Sequence, residues 1–212
     1  MTDPREPRIA VIVGAVARQA LADRGAARIA LLDDGGPEAE LAARLLVSTL
    51  GDGVVARITV ADAEMESVLH LAPELSRERA AEEMRRMRAR LAADAVPAHP
   101  ANKTALLLGG ELPPEPLLPL GDLWAGEVAA LAGDWSAPEP VRRIAESAGG
   151  IEALDAALRG YVDARDPAAL GALPPAAADA VRRALAAGRA SRLNPRIVPK
   201  IGPRTLGVDL FD

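Results

Sequence analysis

Cysteine is missing from all 212 residues. That excludes disulfides, thiolate metal sites and a thiol nucleophile, and it agrees with a reducing, cytoplasmic setting. Histidine is nearly missing: His70 and His99 alone cannot build a His-rich metal centre. Aromatics are scarce as well, with only Trp124, Trp135, Tyr161 and Phe211, so no platform for stacking bases can be assembled. Positive charge is in deficit. A net charge of −5 and a pI near 5.2 argue against a nucleic-acid partner, which calls for clustered Lys and Arg. No apolar run approaches the ~18 residues of a membrane helix, so no membrane partner is expected.

What is present is an apolar half made mostly of Ala, Leu and Val. Arg5 and Arg8 ahead of the apolar run 9–17, which ends Ala15-Val16-Ala17, imitate a signal peptide. Asp3 and Glu6 break the basic leader and the apolar core is short, so the run reads better as a buried first strand. Three such runs, at 8–14, 27–32 and 54–60, are continuous in Ile, Val, Leu and Ala and close on Gly or Asp. Between the second and third lies a helix. Gly36 precedes Pro37 at the favoured first position, Glu38 and Glu40 suit the positive end of the dipole, and Leu41, Leu45 and Leu46 form its apolar face. Gly51 supplies the stop.

A second helix is expected at 76–95, with Ala80, Met84, Met87 and Leu91 inward, the arginines Arg85 to Arg90 outward, and Pro97 and Pro100 ending it. Residues 104–108 read as a fourth buried strand ahead of Gly109-Gly110 and a proline-rich loop. Asp122 reads as the N-cap of the next helix, and helices follow at 151–164 and 175–187. The tail from 190 to 212 holds Pro195, Pro199 and Pro203 and must run extended, while residues 1–7 are expected to be flexible. Strands alternating with helices predict a doubly wound parallel α/β sheet in one domain spanning 1–212, with C-terminal helices and an extended tail.

Several pieces occur in a telling order: Ala89-Arg90-Leu91, Ala101-Asn102-Lys103, Pro119-Leu120-Gly121-Asp122-Leu123-Trp124, Pro138-Glu139-Pro140 and Pro199-Lys200-Ile201-Gly202-Pro203-Arg204. In this order the chain resembles the ammonia-dependent NAD synthetase family over nearly its whole length. The resemblance implies a Rossmann-like fold of the ATP-pyrophosphatase, or adenine nucleotide alpha hydrolase-like, kind in a homodimer. It also implies an activity: adenylating deamido-NAD with ATP and Mg²⁺ before ammonia displaces AMP. That chemistry needs backbone N–H groups for the pyrophosphate, a cation to neutralise it and carboxylates to hold the cation.

Against the family pattern, the Ser-Gly-Gly-x-Asp-Ser loop expected after the first strand is absent beside Gly14-Ala15-Val16-Ala17. The Gly-Asn-Lys-Ser-Glu and Tyr-Gly-Asp stretches expected after Gly109-Gly110 are missing, Ala125 stands where a lysine is usual, and the cover loop shrinks to residues 146–150. Near the tail, the family's His-Lys-Arg cluster is reduced to Ser191-Arg192-Leu193. A single lost oxyanion donor costs ~10²–10³ in rate. The expectation is therefore a NAD synthetase-like pseudoenzyme: no catalytic or metal residues and no cofactor, acting as a homodimer or paired with an active relative. Two alternatives stand beside it, an ATP- and Mg²⁺-dependent amide-forming ligase with a rebuilt site and an adenine-nucleotide sensor. For a bound nucleotide the candidate contacts are Gly14, Asp33, Gly109, Gly110 and Arg90, the last matching the family. Asp33-Asp34-Gly35-Gly36 is read first as a turn and helix cap. Asp62 and Glu64 could complete an acidic crevice with Asp33, although solvated strand-end charges are the simpler account. A Ser/His/Asp role for His99 has no nearby serine and acid to support it.

Overall fold

A computed structural model describes residues 3–92, 94–109, 115–188 and 196–202. The chain opens with a long helix, α1 (Glu6–Arg24), then β1 (Arg28–Leu32), α2 (Pro37–Leu50), β2 (Val55–Ile58), α3 (Asp62–Leu71), α4 (Arg77–Leu91) and β3 (Ala95–Ala98). The strands form a parallel sheet in the order β2-β1-β3, with Ile29 opposite Val55 on one side and Val96 on the other. Single bridges extend the sheet beyond β3, from Ala98 to Leu117 and from Leu117 to Ile197, so part of the expected tail does run extended along a sheet edge.

Alternation along β1 decides the layers. Ile29 and Leu31 face α1 and α2, packing with Leu41, Leu45, Val13 and Ala17, while Ala30 and Leu32 face α4 at Ala89. Helices on both faces of a parallel sheet make the fold doubly wound α/β, as the strand–helix alternation implied. Five helices follow: α5 (Lys103–Leu108), α6 (Ala125–Ala132), α7 (Glu139–Ser147), α8 (Ile151–Leu158), which runs on into a π turn at Arg159–Asp163, and α9 (Pro175–Ala187). Four of them build a second apolar cluster from Leu107, Trp124, Val141, Leu154, Leu158 and Val181. The adjacent residues Leu123 and Trp124 belong to different clusters, Leu123 to the sheet side and Trp124 to the helical side.

Four expectations are corrected. The run 8–14 is not a strand; it lies inside α1, which already includes Glu6 and Pro7 of the stretch expected to be flexible. Its buried residues, Ile9, Ala10, Val13, Gly14, Ala17 and Ala20, follow helical spacing, and Val11 is 61% exposed. A continuous apolar run carries no period of its own, and here length favours the helix. Residues 104–108 are also helical, because the Asn102 side chain caps α5 by accepting the Ala105 N–H at 3.0 Å. The strand lies earlier, at β3, and Pro97 fits within it because its carbonyl serves as acceptor, taking the Leu117 N–H.

Asp122 does not cap α6. The first N–H groups of that helix go to Thr104 Oγ1 (from Ala125, 3.0 Å) and to Asp155 (from Gly126, 2.7 Å). Asp122 instead accepts the N–H groups of Ile201 and Gly202, fixing the tail, and lies 3.4 Å from the buried Lys103 ammonium. Finally, α4 turns a different face inward than expected. Met87 and Leu91 are exposed, whereas Arg85 is largely covered, its side chain 12% exposed. No helix among the described residues is long and apolar enough to cross a membrane.

Candidate functional site

Open parallel sheets bind ligands outside the carboxyl ends of their strands. Here a crevice of about 690 Å³ occupies that place, bounded by the turn after β1, the inner side of α4, residues 99–102 after β3, α5 and the start of α7. Because the first strand is β1 rather than the run 8–14, the segment to compare with Ser-Gly-Gly-x-Asp-Ser is Asp34-Gly35-Gly36-Pro37-Glu38-Ala39. Both glycines and the spacing survive; each serine and the aspartate are replaced. The Ser-Gly-Gly-x-Asp-Ser loop is absent there as well, its two glycines apart.

Two backbone donors of this turn are turned onto the chain's own carboxylates. The Gly35 N–H donates to Asp33 Oδ1 at 2.9 Å and the Gly36 N–H to Asp34 Oδ1 at 2.9 Å. Pro37 has no N–H to offer. Gly35 is glycine because its φ of +78° suits no side chain well. An anion-binding nest works by aiming free N–H groups at a ligand; here the Gly35 and Gly36 N–H groups are aimed at carboxylates of the chain itself.

Glu38 is then held by the far wall. Its carboxylate accepts from the Ser136 N–H (2.9 Å), the Ser136 hydroxyl (2.6 Å) and the Asn102 amide (3.1 Å). Burial pushes its pKa up despite those bonds. For Asp33, burial also acts upward, but the Arg57 guanidinium at 2.6 Å, the Gly35 N–H and the charge of Arg85 outweigh it and hold the carboxyl below its ordinary value.

On α4, Glu82 is the hub. It meets His99 Nε2 at 3.0 Å, Arg86 at 3.1 Å and Arg85 at 3.2 Å. Burial opposes its charge, yet His99, Arg86 and Arg85 prevail and bring its pKa to about 2. His99 Nδ1 accepts the Ala101 N–H at 3.1 Å, which leaves the proton of the neutral ring on Nε2, donated to Glu82. Both ring nitrogens are thus engaged, and no nucleophile is activated by them.

The sequence candidates scatter. Gly14 lies in α1 against Thr49 of α2, away from the crevice, and is corrected to a packing glycine. Arg90 is exposed and does not line the crevice, where Arg85 and Arg86 take the inward places. Asp33 follows β1 and closes a turn onto the Gly35 N–H, but it does not cap α2, whose N-cap is Gly36, and it is committed to Arg57. Asp62 and Glu64 open α3 and pair with Arg77 and Arg88, so no acidic crevice forms with Asp33. Gly109 ends α5, not a strand, and lines the crevice; Gly110 and Arg204 lie outside the described residues. Among the described residues no three His, Cys, Asp or Glu side chains cluster as metal ligands. Sequence reading missed Glu38, Glu82, Asn102 and Ser136 as neighbours. The available signal was Gly-Gly-x-acid after an apolar run, together with Ala101-Asn102-Lys103 against the family's Gly-Asn-Lys.

The fold and crevice define a doubly wound α/β protein of the Rossmann type with a strand-end site. Its likeness among solved structures includes an NH3-dependent NAD synthetase from Campylobacter jejuni in complex with the nitrate ion. That structure superposes with a TM-score of 0.63 at 16% identity, over 91% of this chain and 98% of that one. Likeness at this identity shows a shared fold. No family model and no curated protein matches the sequence.

Proposed function

We propose that this chain is a NAD synthetase-like protein that has lost adenylation and serves as a structural or regulatory subunit of a dimer, with itself or with an active relative. The observation that carries the reading is the turn after β1, where the Gly35 and Gly36 N–H groups donate to Asp33 and Asp34 in place of a pyrophosphate. ATP with Mg²⁺ does not fit these residues. A polyphosphate carries about four negative charges and would meet carboxylates where it needs donors. Glu38, the one acid aligned with the family's aspartate, is committed to Ser136 and Asn102.

Calorimetry of the chain with ATP and Mg²⁺ should show no binding, and pyrophosphate should not appear when deamido-NAD and ammonia are added. Micromolar ATP binding would defeat the reading. Turnover would establish the alternative, a ligase with a rebuilt site. A second reading, an adenine-nucleotide sensor without turnover, is favoured by one feature, the open 690 Å³ crevice. Its signature is thermal stabilisation by adenine nucleotides without hydrolysis.

A further inference from the structure

The crevice is not a spent polyphosphate site only; its charges are arranged for a different guest. Five carboxylates and three guanidiniums line it. Glu139 is taken by Arg142 and Arg143, and Glu82 by Arg85, Arg86 and His99. Glu38 is held by neutral donors. Asp34 and Glu78, by contrast, have no cationic partner among the described residues, and Asp34 meets only the Gly36 N–H through one oxygen. Arg85 carries an idle donor that lies beside the crevice. Its Nη2 reaches Glu82, its Nε is sealed without an acceptor, and its Nη1 makes no hydrogen bond among the described residues while the side chain lines the crevice. Arg85 and Asp34 line the same crevice.

A largely covered guanidinium with an idle donor favours a carboxylate, and unpaired acids in a crevice with surplus negative charge favour cations. Prolines and alanines, Pro100, Ala101, Ala137 and Pro138 among them, supply apolar wall between the charged groups. We infer that the crevice binds a small zwitterion with surplus positive charge: a basic amino acid, its carboxylate on Arg85 Nη1 and its cationic groups toward Asp34 and Glu78. This assignment rests on the reading that the Asp33–Glu38 turn no longer holds a polyphosphate, and it goes beyond that reading by naming what the site takes instead.

Calorimetry and thermal shift on the full chain would use L-arginine and L-lysine as probes, with agmatine (arginine without its carboxylate), L-glutamate and ATP with Mg²⁺ beside them. Arginine or lysine should bind, agmatine about tenfold or more weakly, the loss expected for one charge-assisted hydrogen bond, and glutamate not at all. Arg85→Gln should erase the difference between arginine and agmatine, and Asp34→Asn should weaken both. If neither basic amino acid binds, or if agmatine or glutamate equals arginine on the unaltered chain, the assignment is overturned without any variant having to fold. ATP binding sinks the proposed function as well, whereas a null with arginine and lysine alone sinks only this inference.

Discussion

Gly14→Ala sets helix propensity against packing. Gly14 is in the interior of α1, where alanine is favoured over glycine by ~0.8–1.0 kcal/mol. A methyl group there, however, would stand 2.1 Å from Thr49 Oγ1 and 2.5 Å from Thr49 Cβ on α2. The Oγ1 clash can be relieved by rotating the threonine; the Cβ clash cannot, because Cβ does not move with χ1. Helix α1 must then lift from α2, loosening Val13 and Ala17 from Leu45 and Leu46. Overpacking of this kind costs ~1–3 kcal/mol, and with the backbone itself displaced the upper part of that range applies. The net expectation is destabilisation by about 1–2 kcal/mol. Urea unfolding followed by Trp124 and Trp135 fluorescence would read it as a lower midpoint with an unchanged slope. In a Thr49→Gly background both clashes vanish, and the same substitution should turn stabilising. A Gly14→Ala protein more stable than the parent would refute the close approach of α1 and α2, and with it the packing role given to Gly14.

Two further outcomes concern buried and semi-buried acids. Asp155→Ala should cost about 2–6 kcal/mol, because the Thr104 hydroxyl (2.6 Å) and the Gly126 N–H (2.7 Å) each lose an acceptor at ~1–3 kcal/mol apiece. Asp155→Asn keeps an acceptor and removes the buried charge, so urea unfolding should place it nearer the parent than the alanine variant. For Glu82, the folded pKa of about 2 lies below the ordinary 4.5, so its contribution is complete above pH 4.5 and is lost as the pH falls toward 2. With a quarter of the side chain exposed, screening leaves about 1–2 kcal/mol. Stability measured across that window should fall less steeply in Glu82→Gln than in the parent; parallel acid limbs would remove Glu82 from the account. Asp155 acts in the opposite sense, since burial raises its pKa and the folded protein takes up that proton ahead of the unfolded chain.

Where sequence carried its own punctuation, the fold was legible. Helix α2 is bounded as Gly36-Pro37 and Gly51 foretold, and β1 and β2 lie within the expected runs 27–32 and 54–60. Two apolar stretches that also end on glycine were misread: 9–13 and 104–108 are short, and strand and helix cannot be told apart in them by composition. That one misreading displaced the site. With 8–14 taken as the first strand, the place of a phosphate loop falls beside Gly14, whereas the first strand is β1 and is followed by Gly35 and Gly36. The meeting of Glu38 with Ser136 and of Glu82 with His99 joins residues 98 and 17 positions apart, and no local pattern announces such pairs.

The placement of Leu123 and Trp124 on opposite cores works like a rivet through two plates. Asp155, which clasps Thr104 of α5 and the first turn of α6, tightens the same joint from the helical side. Heat or denaturant that frees the helical plate must draw the indole out, and the leucine beside it cannot stay seated while the backbone between them turns. The two plates are therefore bound to come apart together.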